Sequence, residues 1–285
     1  MNTETIPPSI TSAHLLNTPV TCIVVGAGGT GGRLIPALTQ VLRRGDKLII
    51  IDGDHVEDRN LARQNFRTRD IGLNKAEVMM RRYRREGIET IAYATMLTMG
   101  LKDEIFSRTD NRNYIMLGCV DNTRARIDMD KLCNECSCAW IDAGNERRGG
   151  QVILSTNYWP TEVKYQGHQA SGRFRLLGMN AMPQLITIHP WHCDRCNIDN
   201  TPEQSRCPQC QQPEGSCRDR IDLQTVAVNQ LSASCMLNIV SCLLYGVPMM
   251  SCGAFFSTLN TMSPIKLNSV RWSRSEVFPE TTYAS

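Results

Sequence analysis

Apolar positions fall along this chain in short runs that alternate with amphipathic stretches. "TCIVV" (21–25) is a continuous run of β-formers and predicts a buried strand, Gly26 to Gly32 a turn, and Arg33 to Arg44 a helix that "RGD" closes before the next strand, "KLIIID". After a loop through 53–73, "NKAEVMMRRYRREG" has helical spacing and ends at a glycine, and "ETIAYATM" predicts a strand. "LKDEIFSR" predicts a further helix, "NYIMLGCV" a strand ending at Asp121-Asn122, "TRARIDMDKLCNEC" a helix and "CAWIDAG" a strand. Strand and helix alternate throughout, which predicts an α/β fold: a doubly wound, mostly parallel, Rossmann-like sheet covered on both faces.

The pattern changes beyond residue 150. "GQVILSTN" predicts a strand, 157–185 is loop-rich with weak signals, and 189–217 is crowded with Cys and Pro. Asp222 to Tyr245 predicts one long apolar helix, stopped by Gly246-Val247-Pro248. Its interior Asn229, Gln230, Ser232, Ser234 and Asn238 favour a buried packing helix over a membrane span. The expected organisation is a flexible or docking arm over 1–19 and one domain over 20–285 that includes a zinc and crossover-loop region at 189–217.

Composition adds bounds. With 41% apolar and 21% charged residues among 285, the chain has ordinary globular usage. A net charge of +3 demands neither nucleic acid nor an anionic membrane as partner. The run Arg81-Arg82-Tyr83-Arg84-Arg85 reads as a solvated helix end, with docking to an acidic protein as the alternative. No stretch reaches the roughly 18 to 20 uninterrupted apolar residues of a spanning helix, and "MNTETIPPSI" lacks the features of a leader, so a cytoplasmic setting is expected. Thirteen cysteines then argue for reduced thiols and a metal site before a disulfide framework.

Gly26, Gly28, Gly29 and Gly31 stand in G-x-G-x-x-G context between a strand and a helix, where backbone amides and the helix N-terminus hold phosphate oxygens. Asp52, ending the next strand, is placed to accept from ribose hydroxyls. These features predict a nucleotide site and leave NAD and ATP both open. The segment "DGDHVEDRNLARQNF" (52–66) decides for ATP, because activating a carboxylate needs cations to hold the triphosphate and neutralise charge at the α-phosphorus. Asn60, Arg63, Gln64 and Lys75 supply such groups, and Asp121, at the end of a later parallel strand, can hold Mg²⁺.

The constellation G-A-G-G-T-G at 26–31, D-G-D-x-V at 52–56, N-L-A-R-Q at 60–64, G-L-N-K-A at 72–76 and D-N at 121–122 resembles the ThiF/MoeB/HesA adenylyltransferases, relatives of the ubiquitin-activating enzymes. The resemblance is close over roughly 20–150 and extends less closely to about 246. It implies that Asp52 binds ribose, that Arg63 and Lys75 contact the ATP phosphates, and that Asp121 coordinates Mg²⁺, with Asp54, Asn60, Gln64 and Asn122 completing the nucleotide site. It further implies the reaction, in which the C-terminal carboxylate of a ubiquitin-like or sulfur-carrier protein attacks ATP to give an acyl adenylate and pyrophosphate, and it favours a homodimer. More narrowly, the chain looks like the divergent ThiF-like proteins encoded in bacterial plasmid-associated cassettes. One departure stands out: homodimeric members often carry an N-terminal arginine that reaches the partner's ATP site, and residues 1–20 contain no arginine. Either Arg33 or another basic group substitutes, or the subunits are arranged differently.

Cys193-x-x-Cys196 and Cys207-x-x-Cys210 form two knuckles able to close four thiolates around Zn²⁺, with His192 or His189 as substitute ligands. The family's second pair usually lies after the long helix, whereas here both pairs precede it. Cys217, flanked by Arg218 and Arg220, is similar in position to the crossover-loop cysteine that in some members forms a thioester or acyl-disulfide and in others is dispensable. Cys119, Cys133, Cys136, Cys138, Cys235 and Cys242 fall in predicted elements or at their edges and read as small apolar fillers.

Overall fold

Val20–Val25 is buried at every position, as a central strand covered on both faces must be. The computed structural model describes residues 9–11, 16–106, 113–136, 138–145, 148–165, 168–176, 191–193, 196–200, 208–210, 226–257, 262–266 and 272–274. In chain order its first half holds strands β1 (Ser9–Thr11), β2 (Val20–Val25), β3 (Lys47–Ile51), β4 (Glu89–Tyr93), β5 (Asn113–Gly118) and β6 (Ala139–Asn145). Helices α1 (Gly31–Val41), α2 (Lys75–Tyr83), α3 (Lys102–Ile105) and α4 (Thr123–Cys136) alternate with them. The second half holds β7 (Gly149–Tyr165), β8 (His168–Leu176), β9 (Trp191–Cys193), β10 (Ile198–Asn200), helix α5 (Val226–Tyr245), β11 (Ser251–Ser257), β12 (Ser263–Lys266) and β13 (Trp272–Arg274).

The main sheet runs β12-β11-β7-β6-β5-β2-β3-β4. Its β6-β5-β2-β3-β4 part is parallel, as the alternating pattern predicts. The expectation of a mostly parallel sheet is corrected beyond β6, where β7, β8, β11, β12, β13 and β1 all pair antiparallel and the sheet is mixed. Only residues 146–148 separate β6 from β7, far too few for a parallel crossover, so the chain can only return as a hairpin.

The loop-rich reading of 157–185 is corrected over 157–165 and 168–176, where β7 continues to Tyr165 and pairs with β8, while 166–167 and 177–185 lie outside the described residues. Tyr158, Trp159, Thr161, Val163 and Tyr165 favour a strand. Pro160 in their midst and Gly172 in the partner are breakers that hid it, and the register slips between Thr156 and Trp159. On the far edge of this extension β1 pairs with residues 162–164, so part of the N-terminal arm is a strand of the same sheet.

Helices cover both faces. Leu34, Ile35 and Leu38 of α1, Ala76 and Met79 of α2 and Met236, Val240 and Leu243 of α5 pack on one side. Ile105, Met129 and Leu132 of α3 and α4 pack on the other. By length and composition Val226–Tyr245 could cross a membrane, yet in this fold it lies against α1, β6, β7 and β11, with Asn229 and Ser232 among its buried positions.

Arg81, Arg84 and Arg85 of the basic run are exposed, as a solvated helix end predicts, and Arg82 is half-buried. Arg82 ion-pairs with Asp70 and donates to the Asn65 carbonyl at 2.7 Å, and Arg85 donates to the Thr39 and Gln40 carbonyls at 2.9 and 3.2 Å. The second contact satisfies last-turn carbonyls of α1, where a cation is also favoured by the helix dipole. Both arginines therefore fasten α2 to its neighbours.

Candidate functional site

The sheet order reverses between β2 and β5: β3 and β4 continue to one side of β2, and β6 continues beyond β5. Open α/β sheets bind ligands at this switch point. Here the loops after β2 and β5 touch, with Cys119 N–H donating to the Val25 carbonyl at 2.8 Å.

The four motif glycines have different causes. Gly26 sits at φ +92°, and a Cβ there would lie 2.6 Å from the Cys119 carbonyl oxygen. A Cβ on Gly31 would lie 1.9 Å from the Gly26 oxygen, and one on Gly29 would lie 2.6 Å from Asn229 Nδ2. Gly28 is different, because its Cβ would meet nothing nearer than Gln64 Nε2 at 3.7 Å. Protein packing thus accounts for three of these glycines, whereas a Cβ on Gly28 would make only ordinary van der Waals contact, so packing does not require glycine there. Gly28→Ala is therefore expected to leave stability within about 0.5 kcal/mol of wild type while weakening ATP binding about tenfold or more, roughly 1.4 kcal/mol; thermal melts and calorimetric titration check both arms.

Asp52 orders the loop. Its Oδ2 accepts from Ala27 N–H at 2.7 Å and its Oδ1 from Asp54 N–H at 2.8 Å. Burial pushes this carboxyl above the ordinary carboxylate range, while the Lys75 ammonium and the two amides pull the other way. A carboxylate offers about four acceptor sites, so capacity remains for ribose hydroxyls. Lys75 opens α2 behind the N-cap Asn74, whose Oδ1 accepts from Glu77 N–H at 3.1 Å and whose amide donates to the Asp52 and Asp54 carbonyls at 2.8 and 3.1 Å. Lys75 Nζ lies 2.9 Å from Asp54 Oδ2. The structure thus brings Asp52, Asp54 and Lys75 together.

Asn60 is buried and turns the next segment, its Oδ1 accepting from Glu57 N–H at 2.9 Å and its carbonyl from the Gln64 N–H at 2.8 Å. Pro36 inside α1 cannot donate to the Gly32 carbonyl, and Asn65 Nδ2 does so instead at 3.2 Å, fastening this loop to α1. Between these anchors Arg63 Nε and Gln64 Oε1 are buried with no partner among the described residues. A buried donor and acceptor left unmade cost about 1–3 kcal/mol each, so both atoms have bonding capacity left for a ligand. Arg33, a possible substitute for the missing arginine, donates from Nη1 to the Gly29 carbonyl at 2.9 Å in its own chain.

Asp121 follows β5 and is exposed. Its neighbour Asn122 accepts from Ala125 N–H at 2.9 Å and starts α4. Glycine loop, Asp52, the 60–64 turn, Lys75 and Asp121 thus all lie in loops or helix starts that follow the parallel strands β2, β3 and β5.

The family model described as ThiF family matches residues 13–275. The chain belongs to the ThiF family. Ubiquitin-like modifier-activating enzyme 5 of Caenorhabditis elegans is 31% identical over 142 residues, covering 44% of this chain and 31% of that protein. The enzyme of the same name from Branchiostoma floridae is 32% identical over 136 residues, covering 44% and 33%. The match thus spans about a third of the length of these curated relatives. Among solved structures, E. coli MccB with ATP superposes at TM-score 0.51 and 18% identity, covering 94% of this chain and 67% of that one. E. coli MccB with MccA-N7isoASN gives 0.54 and 17%, covering 94% and 68%. At such identity the likeness is one of fold.

One constellation of this ThiF-family site went unread in the sequence. Asn145 Nδ2, at the end of β6, donates to Thr30 Oγ1 and Asn229 Oδ1 at 2.8 and 2.9 Å, and Ser232 Oγ donates to Asn145 Oδ1. These bonds tie the start of α1 to β6 and α5 directly behind the glycine loop. The buried polar residues on the apolar α5 were the available signal; without a partner in view they argued only against a membrane span.

The proposed zinc ligands are only partly visible. Cys196 and Cys210 are half-buried in turns, Cys193 belongs to β9, which pairs with β10, and Cys207 lies outside the described residues. Among the described residues no group of three or more metal-binding side chains converges. Cys217 also lies outside the described residues. Burial pushes the thiols of Cys22, Cys119, Cys133 and Cys252 up, the last to about 12, which suits inert packing residues.

Proposed function

We propose that this chain is an ATP-dependent adenylyltransferase that activates the C-terminal carboxylate of a ubiquitin-like or sulfur-carrier protein. The observation that carries the reading is the pair of buried atoms on Arg63 and Gln64 that have no partner among the described residues, with Gln64 facing Gly28, the one motif glycine that packing does not require. NAD chemistry needs no cation there, whereas transfer at the α-phosphorus does. The similar enzymes from Caenorhabditis elegans and Branchiostoma floridae, by name activating enzymes for ubiquitin-like modifiers, support the substrate class.

In this mechanism Asp52 accepts from the ribose and the start of α1 faces the phosphates. Arg63 and Lys75 take up charge on the phosphoryl oxygens. Asp121 would hold Mg²⁺, which supplies neutralisation of the triphosphate charge. A carboxylate oxygen of the carrier attacks the α-phosphorus; the new acyl O–P bond forms as the bridging P–O bond to the β-phosphate breaks, and pyrophosphate leaves with that electron pair. No proton moves, so no general base is required, and the site acts by position and charge.

Three further assignments belong to the same reading. Cys193, Cys196, Cys207 and Cys210 hold a structural Zn²⁺. Cys217 accepts the acyl group from the adenylate as a thioester, its thiol proton passing to solvent and AMP leaving. The working form is a cytoplasmic homodimer. Intact-mass spectrometry of a Gly-Gly-ending ubiquitin-like protein from the same genome, incubated with the chain, MgATP and pyrophosphatase, tests the substrate class. An AMP adduct at the carrier's C-terminus is expected. An adduct on short peptides alone would replace the carrier with a peptide substrate, and none on any carboxylate would leave a nucleotide-binding scaffold.

A further inference from the structure

Asp121 sits in a turn whose flanks are both pinned. On its C-terminal side Asn122 caps α4 through Ala125 N–H. On its N-terminal side the Val120 carbonyl accepts from a guanidinium nitrogen of Arg126 at 2.9 Å. The same nitrogen reaches the Ala143 carbonyl at 3.1 Å, and Arg126 Nε lies 2.8 Å from Asp142 Oδ2. One side chain therefore ties the turn after β5 to the end of β6, and it does so from the interior: the side chains of Arg126 and Asp142 are 9% and 1% exposed.

Stability alone explains this pair poorly. A buried ion pair gives up two hydration shells, and replacing both members by apolar residues of similar volume is often neutral or stabilising. The other Asp142 oxygen, Oδ1, finds no partner among the described residues, a further cost, and it lies 2.2 Å from where a Cβ on Gly118 would stand, so the end of β5 must be glycine to admit it. Burial pushes the Asp142 carboxyl up, and the Arg126 guanidinium opposes that by favouring the charged form. What the pair provides is geometry: a planar fork that fixes two carbonyls and a carboxylate at once, which a lysine cannot do.

We propose that Arg126, clamped by Asp142, is a positioning residue that holds the Val120–Asn122 turn so that the exposed Asp121 carboxylate meets a divalent cation without reorganising. The inference rests on the proposed role of Asp121. Partners that orient a metal-binding carboxylate typically change metal affinity by about 10- to 100-fold when removed.

The test uses the full chain and two variants, Arg126→Lys and the double variant Arg126→Met/Asp142→Val, which removes both charges together. In the double variant the melting temperature is expected to stay near wild type, amide hydrogen exchange across residues 119–122 to quicken, and the Mg²⁺ concentration for half-maximal pyrophosphate exchange to rise about 10- to 100-fold, with ATP binding in the absence of Mg²⁺ unchanged. Arg126→Lys is expected to fall between the two. Unchanged hydrogen exchange together with an unchanged Mg²⁺ response would overturn the proposal, and so would loss of the fold in both variants, which would make the pair structural. If wild type itself shows no Mg²⁺-dependent exchange, the adenylyltransferase reading fails, and hydrogen exchange across 119–122 in the free protein still decides whether Arg126 holds the turn.

Discussion

Arg63→Ala is expected to slow adenylate formation by about 10²- to 10³-fold, the usual cost of removing one preorganised donor from a charge-stabilised transition state, without lowering the melting temperature. The second half of that expectation separates a ligand-binding role from a structural one. Arg63 Nε is buried with no partner among the described residues, so truncation removes an unmade hydrogen bond that itself costs about 1–3 kcal/mol. The turn that carries Arg63 does not depend on its side chain, because Asn60 and Asn65 hold it from either side. Stability at or above wild type with activity lost is the signature of a site held under strain for function. A variant that melts early and retains its rate would show that Arg63 braces the loop instead.

Gly31→Ala should do the opposite, unfolding the nucleotide loop before chemistry is reached. The new Cβ would lie 1.9 Å from the backbone oxygen of Gly26, and neither group can rotate away as a flexible side chain could. Relief requires moving α1 or the end of β2, both built into the core through residues such as Val24, Val25, Leu34 and Ile35. Overpacking of this kind typically costs about 1–3 kcal/mol, and more where the obstacle is backbone. Denaturant titration of Gly31→Ala beside Gly28→Ala makes the contrast measurable, since the first is expected to lose stability and the second only nucleotide affinity. Equal stability in the two would show that the helix start can shift freely.

Features fixed by local causes were legible in the sequence, and features fixed by distant parts of the chain were not. The β2-to-α1 unit, Asp52 at the end of β3 and Asp121 after β5 were legible because each is fixed by neighbours within one element or turn. So was the parallel half of the sheet, where buried strands alternate with amphipathic helices. The antiparallel half was not, because Pro160 and Gly172 broke the pattern in strands that long-range pairing nonetheless holds. The bonds of Asn145 to Thr30 and Asn229 cross 115 and 84 positions of the chain, a separation at which no periodicity survives. The motif alone does not show why each glycine is needed: Gly26 answers to Cys119 and Gly29 to Asn229, both from distant segments, and Gly31 to the Gly26 oxygen within the loop. Of the basic run only Arg82 is drawn in from solvent, because its acceptors, Asp70 and the Asn65 carbonyl, come from another segment.

Exchange of labelled pyrophosphate into ATP tests the central claim most directly, with purified chain, a Gly-Gly-ending ubiquitin-like protein from the same genome and Asp121→Ala as control. Carboxylate attack on the α-phosphorus is reversible, so the account predicts exchange that requires the carrier and disappears in the variant. ATP binding without exchange, across several carriers, would contradict it and leave a nucleotide-binding scaffold.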